Sequence, residues 1–273
     1  SVTVAPYAVN NVGAFGTQAA SVFAGGDPGS KTTTLEYGGS GSWTAGGALG
    51  TGRAQQGGAC LAPLSAGLIW GGTPLSTATE KYDGTAWTAA NVLPAGVQFG
   101  GGAGTQTAAL SFGNFSGPTT ITTATTKFDG TSWTAAGALG SSQARSQGSG
   151  SQALALVAGG DYPHTTPVST TQEYNISTSV FTGGAYSALP NINTPRAPEG
   201  AGSKNGTVDA AVFFCGGRSG PGFSNATEEY NGSSWTATGN YPQILRHVGG
   251  TGIQTAALGV GGFDGPGNTN ETN

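Results

Sequence analysis

Few residues of this chain could do chemistry. Its two histidines, His164 and His247, stand far apart, and its two cysteines, Cys60 and Cys215, sit in apolar, strand-like contexts. Neither pair has the spacing of metal ligands, and no Asp-rich calcium loop occurs. The cysteines read as buried thiols and do not fix a redox compartment. Asp161, Glu199 and Asp209 are the loop-associated acids. Two carboxylates can cleave a glycoside, but their separation in space decides that, and chain spacing does not supply it. Four arginines, Arg53, Arg145, Arg196 and Arg246, recur at comparable places. Ringed around one opening, their guanidinium groups would hold a carboxylate, a sulfate or an acidic sugar. The competing reading is that they bond loop carbonyls between structural units. Trp70, Tyr162, Tyr186, Phe223 and Tyr241 are the aromatic candidates for ligand binding. An aromatic ring in a Gly/Pro/Asn loop can stack on a pyranose or anchor a protein contact. Trp70 instead directly precedes a Gly pair, where packing is the stronger expectation. Phe115, Tyr162, Phe223 and Phe263 fall at similar offsets after Gly pairs, which favours packing for some of them.

Composition excludes several classes of partner. Nine Lys and Arg residues are spread over 273 positions, and net charge is -4. That is too sparse to track a phosphate backbone, so no nucleic-acid partner is expected. No apolar run approaches the roughly 20 residues of a spanning helix, so no membrane insertion is expected. No leader is visible, and the absence of Met reads as a mature start at Ser1. Charged residues are only 8% of the chain. The surface must therefore be made of Thr, Ser, Asn, Gln and Gly, as suits an extracellular or particle-exposed protein.

The elements that must position these residues repeat about every 45 residues. The copies run Glu36-Tyr37 to Trp43-Thr44, Lys81-Tyr82 to Trp87-Thr88, Lys127-Phe128 to Trp133-Thr134, Glu173-Tyr174 to Phe181-Thr182, and Glu229-Tyr230 to Trp235-Thr236. Gly pairs give a second ruler, at Gly25-Gly26, Gly71-Gly72, Gly113 with Asn114, Gly159-Gly160, Gly216-Gly217 and Gly261-Gly262. Each closes a short apolar strand. A Thr-rich strand follows, then a turn such as Asp83-Gly84, Asp129-Gly130 or Asn231-Gly232, read as hairpin dipeptides with φ > 0 at both positions. The Trp-Thr strand and a Gly/Ala-rich strand complete a four-stranded unit with no helix. Such units in radial array predict an all-β, six-bladed β-propeller of residues 1–273. The recurring Trp43, Trp87, Trp133 and Trp235 are expected between blades. Gly104-Thr105-Gln106-Thr107 and its relatives read as turns. The last unit stops inside its third strand, so the sixth blade is expected to be shared between residues 1–5 and about 240–273, with Val2 in the tryptophan place. That pairing of N- and C-terminal strands removes exposed strand edges.

The Gly pair, the following Tyr or Phe and the later Trp resemble the kelch repeat over nearly the whole chain. The resemblance implies strands ordered outward from a central channel. It also implies an Arg near the innermost strand, a place that Arg53, Arg145, Arg196 and Arg246 could fill. Some kelch-like proteins are copper oxidases, but the Tyr, Cys and His constellation they need is not legible in this sequence. The unit Thr-Ala-Thr-Lys/Glu-Tyr/Phe-Asp/Asn-Gly-Thr/Ser-Ser-Trp-Thr resembles kelch-like proteins encoded by bacteriophages. It implies a non-enzymatic structural or adhesion protein on the virion surface, partnered by other virion proteins, copies of itself or cell-surface glycan. No cofactor is expected. The alternatives are a free extracellular lectin-like carbohydrate-binding protein and a carbohydrate-active propeller enzyme. The long fifth unit, Tyr186 to Asp209, is the expected docking element because scaffold repetition does not require it.

Overall fold

The computed structural model describes residues 4–39, 41–59, 61–117, 119–161, 166–176, 185–196, 201–202, 206–218 and 222–273, with backbone alone for Ala185, Tyr186, Ala201, Gly202 and Arg218. Every regular element among them is a strand. The apolar segments before the Gly pairs form the second strand of each sheet, as in Ala20–Ala24, Ala108–Phe112 and Leu154–Ala158. A neighbouring sheet covers each face, so these strands read as continuous apolar runs without alternation. In the third sheet the Gly-rich first strand is Gly101–Thr105, the Thr-rich third strand Thr125–Phe128 and the fourth Trp133–Ala136. Pairing is antiparallel and sequential. The first strands of successive sheets touch one another around a closed circuit. Six sheets about one axis make a six-bladed β-propeller.

The hairpin turns depart from expectation in one respect. Gly84, Gly130 and Gly232 take positive φ, but their Asp and Asn neighbours do not. The Asp129 carboxylate instead accepts the Thr131 and Ser132 N–H groups at 2.8 and 2.7 Å. A side chain that bonds its own turn removes the need for a second left-handed residue.

Among the described residues, blade six has three strands, Gly249–Ile253, Ala256–Phe263 and Asn268–Thr272. The amino-terminal segment lies beside the third. Ala5 N–H donates to the Asn270 carbonyl at 2.8 Å, and Asn270 Nδ2 donates back to the Ala5 carbonyl at 3.1 Å. The two ends pair as expected, but in another register. In blade one the matching bond runs from Leu49 N–H to the Thr32 carbonyl, 2.8 Å. Ala5 therefore holds the place of Leu49, well past the tryptophan position. Val2 lies outside the described residues.

Blades are joined by repeated devices. Trp87 Nε1 donates to Thr34 Oγ1 at 2.8 Å and Trp133 Nε1 to Thr79 Oγ1 at 3.0 Å, each reaching back one blade. The Gly-Thr-Gln turns do more than turn. Gln106 Nε2 donates to the Gly67 and Tyr82 carbonyls of the preceding blade at 2.9 and 2.8 Å, and Gln152 and Gln254 repeat the clip. Arg53 forms a buried ion pair with Glu80, and Arg196 forms the same pair with Glu228. Blade four uses amides in that place: Gln172 Nε2 donates to Gln143 Oε1 at 2.8 Å.

Two positions in the longer unit are corrected by register. Tyr186 stands opposite Tyr174, as Trp43 stands opposite Tyr37, so Tyr186 and not Phe181 takes the tryptophan place. Phe181 lies outside the described residues. In blade five the Gly pair is Cys215-Gly216 and not Gly216-Gly217. Cys215 has φ 61° and Gly216 φ 113°, matching Gly71 at 66° and Gly72 at 109°. Ile192 and Arg196 occupy the ordinary places of Leu49 and Arg53, so this part of the stretch from Tyr186 to Asp209 belongs to the repeated scaffold.

Cys215 is buried, and that burial pushes its thiol up to about 12. With Cys60 replaced by serine, the folded protein is expected to resist a disulfide reagent at mildly alkaline pH and to react only as it unfolds. The unfolded thiol ionises near 9.0, so this group's contribution to stability is lost as pH rises from 9.0 toward about 12. Rapid stoichiometric labelling of the folded protein would contradict the burial.

Candidate functional site

Between the outer strand of one blade and the inner strand of the next, the chain crosses one face of the disc. At these crossings five of the described residues adopt left-handed backbone: Asn11 (φ 54°), Gln55 (60°), Phe99 (55°), Arg145 (53°) and His247 (59°). Non-glycine residues in this region cost on the order of 1 kcal/mol or more and persist where the surroundings fix them. Here the fixing is a lateral belt of hydrogen bonds. Gln55 N–H donates to the Asn11 carbonyl at 2.9 Å, Phe99 to Gln55 at 2.8 Å, Arg145 to Phe99 at 2.9 Å and Asn11 to His247 at 3.1 Å. All five residues line a cavity of about 90 Å³ at the mouth of the channel. Behind them the inner strands are rich in glycine and lie against one another.

Side chains around the mouth are held in place. Arg145 pairs with the buried Asp161 and lies between two rings, 4.2 Å from the Phe99 centroid and 5.2 Å from Phe115. Arg246 is stacked likewise, 4.8 Å from Phe223 and 4.9 Å from Phe263. Guanidinium planes favour such aromatic faces. Asn11 Nδ2 donates to Asp27 at 3.2 Å, and Asn10 Nδ2 lies 3.4 Å from His247 Nδ1. The Thr73 hydroxyl sits between the amides of Gln55 and Gln98. Positive and negative groups are balanced here, so the mouth is not the strongly cationic ring that four free arginines would make.

The candidates divide as follows. Arg145, Arg246 and Phe223 belong to this face. Arg53 and Arg196 do not, because each is 1% exposed and locked to a glutamate inside the scaffold. The four arginines also hold three different places: Arg53 and Arg196 are equivalent, Arg246 follows by one and Arg145 by two, as the bridges Ala54 to Thr73, Ala144 to Asp161 and Arg246 to Phe263 show. Trp70 is fully buried, packs 5.1 Å from Trp133 and donates Nε1 to Ser111 Oγ at 2.9 Å, so it is part of the core. Tyr241 is 8% exposed, stacks on Phe214 at 5.2 Å and occupies the scaffold place of Leu49. It is a buried loop residue that walls a cleft between blades five and six. Tyr162 and Glu199 lie outside the described residues, and Tyr186 shows backbone only.

Asp161 and Asp209 do not come together. Asp161 follows the second strand of blade four on the mouth face, whereas Asp209 precedes the second strand of blade five on the opposite face. Among the described residues, no three His, Cys, Asp or Glu side chains gather as a metal site. Sequence reasoning missed Asn11, Gln55, Phe99 and His247. Their types differ at every blade, so no motif marks them; the only signal is their constant offset before the glycine-rich inner strand.

No family model matches this chain, and no curated protein matches it. Among solved structures, that of YjhT matches with a TM-score of 0.81 at 14% identity, covering 99% of this chain and 95% of that one. Identity this low speaks for the fold alone, and what it shows is that the chain shares the six-bladed β-propeller architecture of YjhT.

Proposed function

We propose that this kelch-like propeller is a non-enzymatic structural or adhesion protein exposed on a virus particle, docked to other particle proteins or to copies of itself. In this reading its channel mouth recognises cell-surface glycan. The observation that carries it is the contrast at the mouth: one backbone geometry repeated from blade to blade, bearing amide, aromatic, guanidinium and imidazole side chains. A scaffold that fixes position while varying chemistry supports recognition by hydrogen bonds and stacking. The surface of low charge and the phage-like repeat motif support the particle setting.

Electron microscopy of the native source fraction tests the setting. Six-bladed discs at a repeating position on particles are expected; a free protein absent from particles overturns it and leaves the free lectin as the reading. A glycan array tests the mouth. Phe99→Ala and Arg145→Ala are each expected to weaken the best ligand by roughly tenfold or more, about 1.4 kcal/mol. Binding unchanged in both variants places recognition elsewhere.

A further inference from the structure

The hairpin turns at Asp83-Gly84, Asp129-Gly130 and Asn231-Gly232 share one design, and the last differs from the others by a single group. In the first two, a carboxylate oxygen accepts two backbone N–H groups of its own turn. Asp83 accepts from Thr85 and Ala86, both at 2.8 Å, and Asp129 from Thr131 and Ser132. Asn231 Oδ1 accepts the Ser233 and Ser234 N–H groups in the same way, at 3.0 and 2.9 Å. The Ser233 and Ser234 hydroxyls donate to the same oxygen at 2.9 and 3.4 Å. Backbone N–H groups only donate, so the atom they meet is the amide oxygen, and the amide nitrogen points away from the turn.

Other asparagines are held the opposite way round. Asn11 and Asn175 donate Nδ2 to the carboxylates of Asp27 and Glu173, and Asn193 and Asn270 donate Nδ2 to the carbonyls of Trp235 and Ala5. Each of the four also precedes a residue with a side chain. Asn231 is exposed and precedes Gly232, which takes φ 88°. Neither Asn231 Nδ2 nor the Gly232 N–H bonds a described residue. An added Cβ on Gly232 would stand 3.1 Å from Asp209 Oδ1, so the turn lies beside Asp209 on the face away from the mouth.

We infer that Asn231-Gly232 is a site of spontaneous deamidation which the folded turn promotes, and that the fold accepts the aspartate it produces. Hydroxide removes the Gly232 N–H proton, and the freed nitrogen attacks Asn231 Cγ. A bond forms between Gly232 N and Cγ, and negative charge develops on Oδ1, where the turn donors already converge. The bond from Cγ to Nδ2 then breaks, and the nitrogen takes a proton from water and leaves as ammonia into solvent. Water opens the resulting five-membered imide at one of its two carbonyls. Opening at Cγ gives aspartate, the residue that the same turn holds at Asp83 and Asp129. Opening at the backbone carbonyl gives isoaspartate, which lengthens the chain by one carbon and breaks the turn. Each conversion adds one negative charge beside Asp209, so aged molecules differ on that face. The inference is independent of what the mouth binds.

Peptide mapping by mass spectrometry tests this on the whole protein held at mildly alkaline pH, beside a free peptide of residues 227–237. Asn231 in the folded protein is expected to convert at least about threefold faster than in the peptide; the gain stays below the roughly 10²–10³-fold of a buried donor because the turn is wet. Ser233→Ala combined with Ser234→Ala is expected to slow the folded protein severalfold and to leave the peptide unchanged. Asn231→Asp is expected to melt with the parent. Slower conversion in the folded protein than in the peptide overturns the inference, and so does a folded rate indifferent to both serine substitutions. An Asn231→Asp variant that melts well below the parent overturns the acceptance of the product. Asn205 also precedes a glycine; it lies outside the described residues and is read from a different peptide of the same map.

Discussion

Glu80→Ala is expected to destabilise the protein by about 3–5 kcal/mol, because it strands a buried guanidinium. Arg53 is 1% exposed, and besides Glu80 it reaches only backbone carbonyls, those of Gly71 at 3.3 Å and Ala78 at 3.1 Å among them. Glu80 also accepts the Gly50 N–H at 2.8 Å, so its loss orphans a loop amide as well. Blade four supplies the remedy. There Gln143 and Gln172 fill the same two places, and Gln172 accepts the Gly140 N–H at 2.7 Å. The double variant Arg53→Gln, Glu80→Gln is therefore expected to recover most of the loss, to within about 1–2 kcal/mol of the parent. Urea midpoints of the two single and the double variants close the cycle. A double variant as unstable as the sum of its singles would falsify the view that the amide pair is a working substitute.

The second large effect lies at the axis. Gly102→Val is expected to prevent folding, and Gly102→Ala to cost about 3 kcal/mol or more. A Cβ there falls inside contact distance of the Gly58 carbonyl oxygen and 2.8 Å from two ring carbons of Trp70. The obstacle on one side is backbone, which cannot rotate away. Gly148 repeats the arrangement one blade on, pressed against the Gly102 carbonyl. Gly267 is the control, with nothing within 4 Å of an added Cβ; alanine there is expected to change stability by less than about 0.5 kcal/mol. Thermal melts of the alanine variants compare them directly. Equal midpoints for Gly102→Ala and Gly267→Ala would mean that the inner strands are not closely packed.

The sequence by itself determined the architecture. A four-stranded unit cannot bury its own faces, so each copy must spend its apolar second strand, its Tyr or Phe and its Trp on its neighbours, and that demand is periodic. Periodicity made the blades, the Trp contacts between them and the pairing of the two chain ends legible. It could not rank residues that break the pattern. Trp70 stood out and proved to be core, because an unrepeated side chain can fill an unrepeated gap. The four arginines look alike in a sequence, yet a shift of one or two positions around a tight crossing separates buried ion pairs from residues at the mouth. Two glycines in one chain also read alike, and only the approach of Gly58 and Trp70 distinguishes Gly102 from Gly267. The mouth itself was decided by tertiary structure. Asn11, Gln55, Phe99, Arg145 and His247 share no chemistry that a motif could register; they share a backbone geometry imposed by hydrogen bonds between blades.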